Sequence, residues 1–318
     1  MTASSEITDM GTRPSVERVG FKAHRCMTAP GFSGSVIANG SRAVYISTDD
    51  GDLLAACSMD QQPHPRSFLT DLDLTSLHEG LRTWYEDDEL RFGNGASLMV
   101  SENQICYRPS AVPPCVAPSN VLRSRCNDLL QAAQDAHEGE NLGLALSSFA
   151  IGDRAPTFAG ADPDISPLIF AGAEIVKGLA PICRLGDLEP SLKVSERLIG
   201  LGPGLTPSGD DFVGGLLFMA RHLNAAYPQE RWWQGGNIGG LLAHSETMTS
   251  RISHALLSDL AEGQSHESLH DLAEELVVGD EKLDAASHVR RVTEIGQSSG
   301  WDILTGMLAG LLPVIYRV

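Results

Sequence analysis

The stretch that most constrains this chain is Leu198 to Leu217, LIGLGPGLTPSGDDFVGGLL. Gly200, Gly202, Gly204 and Gly209 crowd around Pro203 and Pro207. Hydroxyls stand at Thr206 and Ser208, acids at Asp210 and Asp211, and an apolar helix follows. Glycine loses more backbone freedom on folding than any other residue. A loop this rich in it is ordered where backbone must turn sharply or come close to something. Ser208 stands where an N-cap would, with Asp210 and Asp211 in the first helical turn, where the helix dipole favours negative charge. Leftover N–H groups at such a helix start make a seat for an anion. The other reading is a tight helix–helix corner whose acids only cap a helix. The residues alone leave both open.

Two phosphate-binding patterns fail here. Gly204-x-x-x-x-Gly209 has the glycine spacing of a P-loop, but Asp210 and Asp211 stand where Lys and Ser/Thr should follow. The preceding Lys193–Arg197, KVSER, is too polar for a buried strand. Gly200-x-Gly202-x-Gly204 has the wrong spacing for a dinucleotide fingerprint and lacks its βαβ setting. A phosphate held in this loop would sit beside two carboxylates. A bridging cation would permit that; otherwise the acids face an amide or ammonium group.

At 318 residues the chain is long enough for two domains. A net charge of -18 argues against nucleic acid or an anionic membrane as partner. No apolar run is read as reaching membrane-spanning length. Residues 1–15 are polar, carry acids and lack the apolar centre of a signal peptide, so a disordered tail is expected there. The six cysteines are scattered with no C-x-x-C pair and read as reduced thiols of a cytoplasmic protein.

The expected fold class is α+β: an antiparallel β-rich domain, barrel-like or sandwich-like, over residues 16–115, then a mainly helical domain over 119–318 with the glycine-rich loop inside it. Gly34–Thr48 is two apolar runs around Asn39-Gly40, a strong hairpin signal. Asp49-Asp50-Gly51-Asp52 reads as turn chemistry; the spaced acids and closing Glu of a calcium loop are missing. Leu53–Cys57 reads as a strand. Leu72–Trp84 has helical spacing, and Phe92–Val100 with Gln104–Tyr107 reads as a second hairpin. Pro109, Pro113, Pro114 and Pro118 mark the boundary.

Helical segments are then expected at Asn120–His137 capped by Ser119, Leu142–Phe149, Leu168–Leu179 after the Ser166-Pro167 start, Asp187–Leu198, Phe212–Leu223, Thr247–Ala261, Leu269–Val278, Leu283–Glu294 and Trp301–Tyr316. One pair of them echoes. Ser208–Leu217 aligns without gaps with Ser299–Leu308, sharing Ser, Gly, the second acid, the second glycine and the final Leu. The echo predicts that the two helices pack through Gly215, Gly306 and Gly310. Their N-termini would then point the same way into one pocket, with Asp211 and Asp302 facing across it. Chance or a duplication without function would give the same echo.

Thr247, Thr249, Ser250 and Arg251 form a further candidate group. The hydroxyls cap a helix, and Arg251 either clamps a carboxylate or phosphate or is simply solvated. His244 and His254 offer acid–base groups near neutral pH or satisfied surface positions. His266 and His270 lie four apart, as metal ligands can, but their order is one residue too long for H-E-x-x-H and SHESLHDLAEE reads as a solvated face.

GLGPGLTPSGDDFVGGLL, followed by Gly296-Gln297-Ser298-Ser299-Gly300-Trp301-Asp302 before a glycine-containing helix, resembles a bacterial family long labelled a domain of unknown function. That family includes the AllH-type subunit of oxamate carbamoyltransferase. The resemblance is sharp from Leu198 onward and loose over the β-rich third. Gln297 stands where many relatives are expected to carry a histidine. The resemblance implies a part in moving a carbamoyl group between oxamate and phosphate, in anaerobic allantoin use, within a complex of several subunits. The residues suit that chemistry. Helix-start N–H groups around Gly202, Gly204, Gly209, Ser298 and Gly300, with the Thr206, Ser208 and Ser299 hydroxyls and Arg251, would hold a small carboxylate or phosphate. Asp210, Asp211 and Asp302 would be the catalytic acids, taking amide protons or a bridging Mg2+. No Ser-His-Asp or Cys-His set supports a covalent route. A non-catalytic anion-binding or structural subunit remains the competing reading.

Overall fold

The computed structural model describes residues 14–40, 42–100, 106–110, 116–139, 141–150, 166–278 and 282–316. Residues 1–13, Gln104, Pro113 and Pro114 lie outside them, and with them most of the expected tail. The chain divides into two compact units, Met1–Arg108 and Pro109–Val318.

The first unit is a nine-stranded, mostly antiparallel sheet. In chain order its elements are β1 (Val16–Gly20), α1 (Phe21–Met27), β2 (Ser33–Asn39), β3 (Ala43–Thr48), β4 (Leu53–Ser58), β5 (Ser67–Thr70), β6 (Arg82–Glu86), β7 (Glu89–Phe92), β8 (Ser97–Met99) and β9 (Cys106–Tyr107). The spatial order is β8-β7-β6-β2-β3-β4-β5-β1-β9. The sheet curls into a half-barrel, and an isolated bridge joins Ser15 to Met99 near its β8 edge. Inward residues alternate along β2, where Gly34, Val36 and Ala38 are buried, as one covered face requires. The Asn39-Gly40 hairpin forms as expected, with Val36 opposite Ile46 and a bulge before Ala38.

One expectation is refined in this unit and two fail. The pairing is not wholly antiparallel, because β4–β5 and β1–β9 run parallel. Leu72–Trp84 is not a helix: it is a short 3-10 turn at Leu74–Ser76 followed by β6. Leu74, Leu77 and Leu81 are buried as their spacing suggested, but Gly80, at φ 82°, breaks any helix and strand pairing wins. Phe92–Val100 does not pair with Cys106–Tyr107. Instead β7 turns through Gly93–Ala96 into β8, and β9 lies beside β1.

The second unit is helical. It contains α2 (Ser119–Ala136), a 3-10 helix at Asn141–Phe149, α3 (Pro167–Cys183), α4 (Leu188–Ser195), α5 (Ser208–Ala226), a 3-10 turn at Pro228–Glu230, α6 (Ile238–Met248), α7 (Arg251–Ala261), α8 (Glu267–Val277), α9 (Ala285–Thr293) and α10 (Ser299–Tyr316). The expected helix over Thr247–Ala261 is broken. Thr249 is extended, and the Ser250 hydroxyl starts α7 by accepting the Ser253 N–H.

At the centre lie α5 and α10, which make the most extensive helix–helix packing in the unit. Small residues allow backbone to meet backbone. A Cβ on Gly215 would fall 2.1 Å from the Ile303 carbonyl oxygen, and one on Gly306 would fall 1.9 Å from that of Phe212. Gly310 meets Met219 and Leu216 further along. Contacts that climb both helices together mean that they run parallel, as the echo predicts. Contrary to the reading that no apolar run is long enough, α10 is long and apolar enough to cross a membrane. It is also 83% buried inside the unit, as a core helix is.

Candidate functional site

The two parallel helices start side by side. The Thr206 and Ser299 hydroxyls are 2.9 Å apart across the junction. Asp211 and Asp302, one turn in, hold equivalent places on α5 and α10, and both are buried. The Ser299 and Thr206 hydroxyls approach Asp211, and that of Ser208 approaches Asp302. Each acid therefore meets the opening serine of the other helix. The Leu142 N–H donates to Asp302 Oδ1 at 2.8 Å, tying in the start of the 3-10 helix. Asp211 Oδ2 and Asp302 Oδ2 are buried with no hydrogen-bond partner.

This environment resists charge. Burial pushes the Asp211 carboxyl well above the usual carboxylate range, and the neighbouring Asp302 and Asp210 push it further, while the Ser299 and Thr206 hydroxyls oppose. Burial likewise lifts Asp302 to about 7, against the Leu142 N–H and the Ser208 hydroxyl. Burial and the nearness of like charge both favour the protonated form of these two acids.

Asp210 is hydrogen-bonded through both of its oxygens. Its Oδ1 accepts the Gly200 N–H at 2.7 Å, and its Oδ2 accepts the Ser253 hydroxyl at 2.6 Å and the Thr249 hydroxyl. The residue is buried and its acceptors are used by the fold. It binds the glycine loop to the α6–α7 corner. The Ser250 hydroxyl adds a bond to the Leu205 carbonyl at 2.8 Å.

Six N–H groups at these helix ends, counted upon for the expected anion seat, are taken by nearby carbonyls. The Gly209 N–H donates to Leu201 O, and the Asp210 and Asp211 N–H groups donate to Pro207 O. On α10 the Gly300 N–H donates to Ile295 O, and the Trp301 and Asp302 N–H groups donate to Ser298 O. Nor is Ser208 an N-cap: Pro207 precedes the helix with no side-chain cap, and Ser208 is the first helical residue. Its hydroxyl is turned across to the partner helix. Gly209 and Gly300 are packing residues, since a Cβ would meet Leu198 O at 1.8 Å and Val292 O at 2.3 Å. Gly202, at φ 129°, lies against the Ser208 nitrogen, and Gly204, at φ 94°, is at the exposed loop tip. Ser298 and Arg251 are exposed.

Sequence reasoning missed Leu142, Thr249 as a partner of Asp210, and Ser253. Leu142 acts through its backbone, 160 positions from Asp302. Nothing in its side chain signals that. His266 and His270 do not form a solvated face. His270 lies edge-on to Phe218 and 5.4 Å from His222, against α5. Among the described residues no group of three or more His, Cys, Asp or Glu side chains gathers as metal ligands. Mg2+ takes six oxygen ligands, so the Asp211–Asp302 pair is only a partial donor set for it.

The match to known proteins falls on this same region. Residues 198–311 match the AllH family. The family is described as oxamate carbamoyltransferase subunit AllH. The AllH segment opens at the glycine loop, contains both acids and closes in α10. That description places the family within oxamate carbamoyltransferase, a transferase, and the word subunit implies further chains in the enzyme it names. No solved structure matches.

Proposed function

We propose that the chain is a subunit of a carbamoyltransferase-type enzyme resembling oxamate carbamoyltransferase. With partner subunits it would convert oxalurate and phosphate to oxamate and carbamoyl phosphate, in the cytoplasm. One observation carries this reading: Asp211 and Asp302, inside the AllH segment, are buried together and each leaves an oxygen without a partner.

The reaction needs a group that both takes and gives a proton. A phosphate oxygen attacks the carbamoyl carbon, the bond from that carbon to the bridging nitrogen breaks, and the nitrogen leaves as the amide of oxamate. Hydrogen phosphate loses one proton and the leaving nitrogen gains one. In this reading the ionised member of the acid pair accepts the first and the protonated member supplies the second. Before reaction the same pair suits a carbamoyl group, the carboxylate accepting from its NH2 and the acid donating to its oxygen. The Thr206, Ser208 and Ser299 hydroxyls beside the pair would stabilise charge developing on that oxygen. Arg251, the first residue of α7, would meet the anionic end of a substrate. No step is assigned to Mg2+.

The test is Asp211→Asn and Asp302→Asn, each assembled with the partner subunits. Loss of a group that transfers a proton costs about a hundred- to ten-thousandfold in rate. Each folded variant is expected to lose at least a hundredfold. The backbone contact between α5 and α10 would serve a purely structural subunit equally well. In that case both variants would turn over like the wild type, and the catalytic reading would fall.

A further inference from the structure

The acid pair is walled in. Asp302 is fully buried and Asp211 only 6% exposed, so nothing reaches their unpartnered oxygens unless a wall moves. Two walls, α5 and α10, touch backbone to backbone at Gly215 and Gly306 and leave no room to shift. A third, the start of the 3-10 helix, is tied by the Leu142 N–H to Asp302 itself.

The glycine loop is a further wall, reaching Asp211 through the Thr206 hydroxyl, and it is built differently. Pro203, Gly204 and Leu205 are exposed at its tip. Gly202 and Gly204 have positive φ, a region glycine enters and leaves freely. The base of the loop is anchored: Gly200 N–H to Asp210 on one side, Gly209 N–H to Leu201 O on the other. Between those anchors two hydroxyl contacts hold it down, Thr206 to Ser299 and Ser250 to the Leu205 carbonyl. Thr206 and Ser299 are also the two hydroxyls that approach Asp211.

We propose that Gly202–Thr206 is a strap that swings off the Asp211–Asp302 pair, with the Thr206–Ser299 contact as its latch. Swinging out would withdraw Gly202 from the Ser208 nitrogen, 2.7 Å from where its Cβ would stand, and so uncover backbone at the head of α5 as well as the acids. As access to a site, the strap rests on the function proposed above. The movement itself is measured without a ligand.

Amide hydrogen exchange of the intact chain, followed by mass spectrometry over residues 198–209, reads the movement. Ser299→Ala and Thr206→Val remove the latch and are expected to speed exchange there at least tenfold, with α7 and α9 unchanged. Thr206→Cys/Ser299→Cys places two thiols where hydroxyls now sit 2.9 Å apart, near disulfide reach. Oxidised, it is expected to slow the same exchange at least tenfold below its own reduced state. Exchange within twofold of wild type in the unlatched variants overturns the strap. So does an oxidised double variant that exchanges like its reduced form. A chain that shows the expected exchange yet binds neither phosphate nor oxamate keeps the strap and counts against the function instead.

Discussion

Gly215 and Gly306 sit at equivalent positions on α5 and α10, and each lies against a backbone carbonyl of the other helix. The contact is reciprocal: Gly215 meets Ile303, the counterpart of Phe212, which Gly306 meets. A two-fold relation between parallel helices therefore underlies the sequence echo, and it brings Asp211 and Asp302 together.

Adding a methyl at either glycine should open that contact. Gly215→Ala and Gly306→Ala push against backbone, which cannot rotate away, so each is expected to lose about 1–3 kcal/mol or more. Gly178→Ala is the control. Gly178 lies within α3 with open space around its would-be Cβ, and alanine there should gain about 0.5–1 kcal/mol. Urea denaturation of the three variants checks both signs.

The raised acid makes stability depend on pH. The folded chain holds the Asp302 proton up to about 7, whereas the unfolded chain releases it near 3.8. Its contribution is thus full below pH 4 and lost as pH rises to 7. Asp302→Asn cannot lose that proton. It should match wild type near pH 4 and exceed it at pH 8, by at most about 4 kcal/mol at 1.36 kcal/mol per unit. Denaturation curves between these pH values test this; no gain at pH 8 would contradict it.

Histidines toward the other end of α5 work in the opposite sense. Burial lowers His222, lowers His266 to about 4 and, with the charges of His222 and His266 adding to it, lowers His270 to about 3. The unfolded chain takes up these protons near 6.5 and the folded chain resists them. Stability should therefore fall as pH drops from 6.5 toward 4. His270→Gln keeps an acceptor for the Ser265 N–H while removing one such group. It should flatten that fall, as thermal melts across the range would show.

Asp210 and Asp211 are neighbours in sequence with separate duties. Asp210→Ala strands the half-buried Gly200 N–H and Thr249 hydroxyl and the buried Ser253 hydroxyl, and an unsatisfied buried group costs about 1–3 kcal/mol. It should be markedly less stable than Asp211→Asn. Equal stability of the two variants would deny Asp210 its role as the tie of the loop.

Much of this was legible in the residues. The change from alternating to helical patterning gave the α+β division, and the Ser208 and Ser299 echo gave the packing of α5 on α10. What stayed hidden has physical causes. Apolar spacing at Leu74, Leu77 and Leu81 fits a helix or a buried irregular segment, and only Gly80 in its observed conformation decides. Orphan N–H groups at a helix start are a fair inference from sequence. Whether the nearby carbonyls of Leu201, Pro207, Ile295 and Ser298 take them depends on how the chain turns. Partners joined across 43 or 160 positions, such as Ser253 to Asp210 and Leu142 to Asp302, leave no local pattern.

Asp211 and Asp302 are expected to share a proton in their dry site at neutral pH. Carbon-13 NMR of the aspartate carboxyl groups, assigned with the two Asn variants and titrated from pH 3 to 9, observes this directly. One of the two signals is expected to keep the shift of a protonated acid to near pH 7. Two signals that both titrate near pH 4 would contradict it.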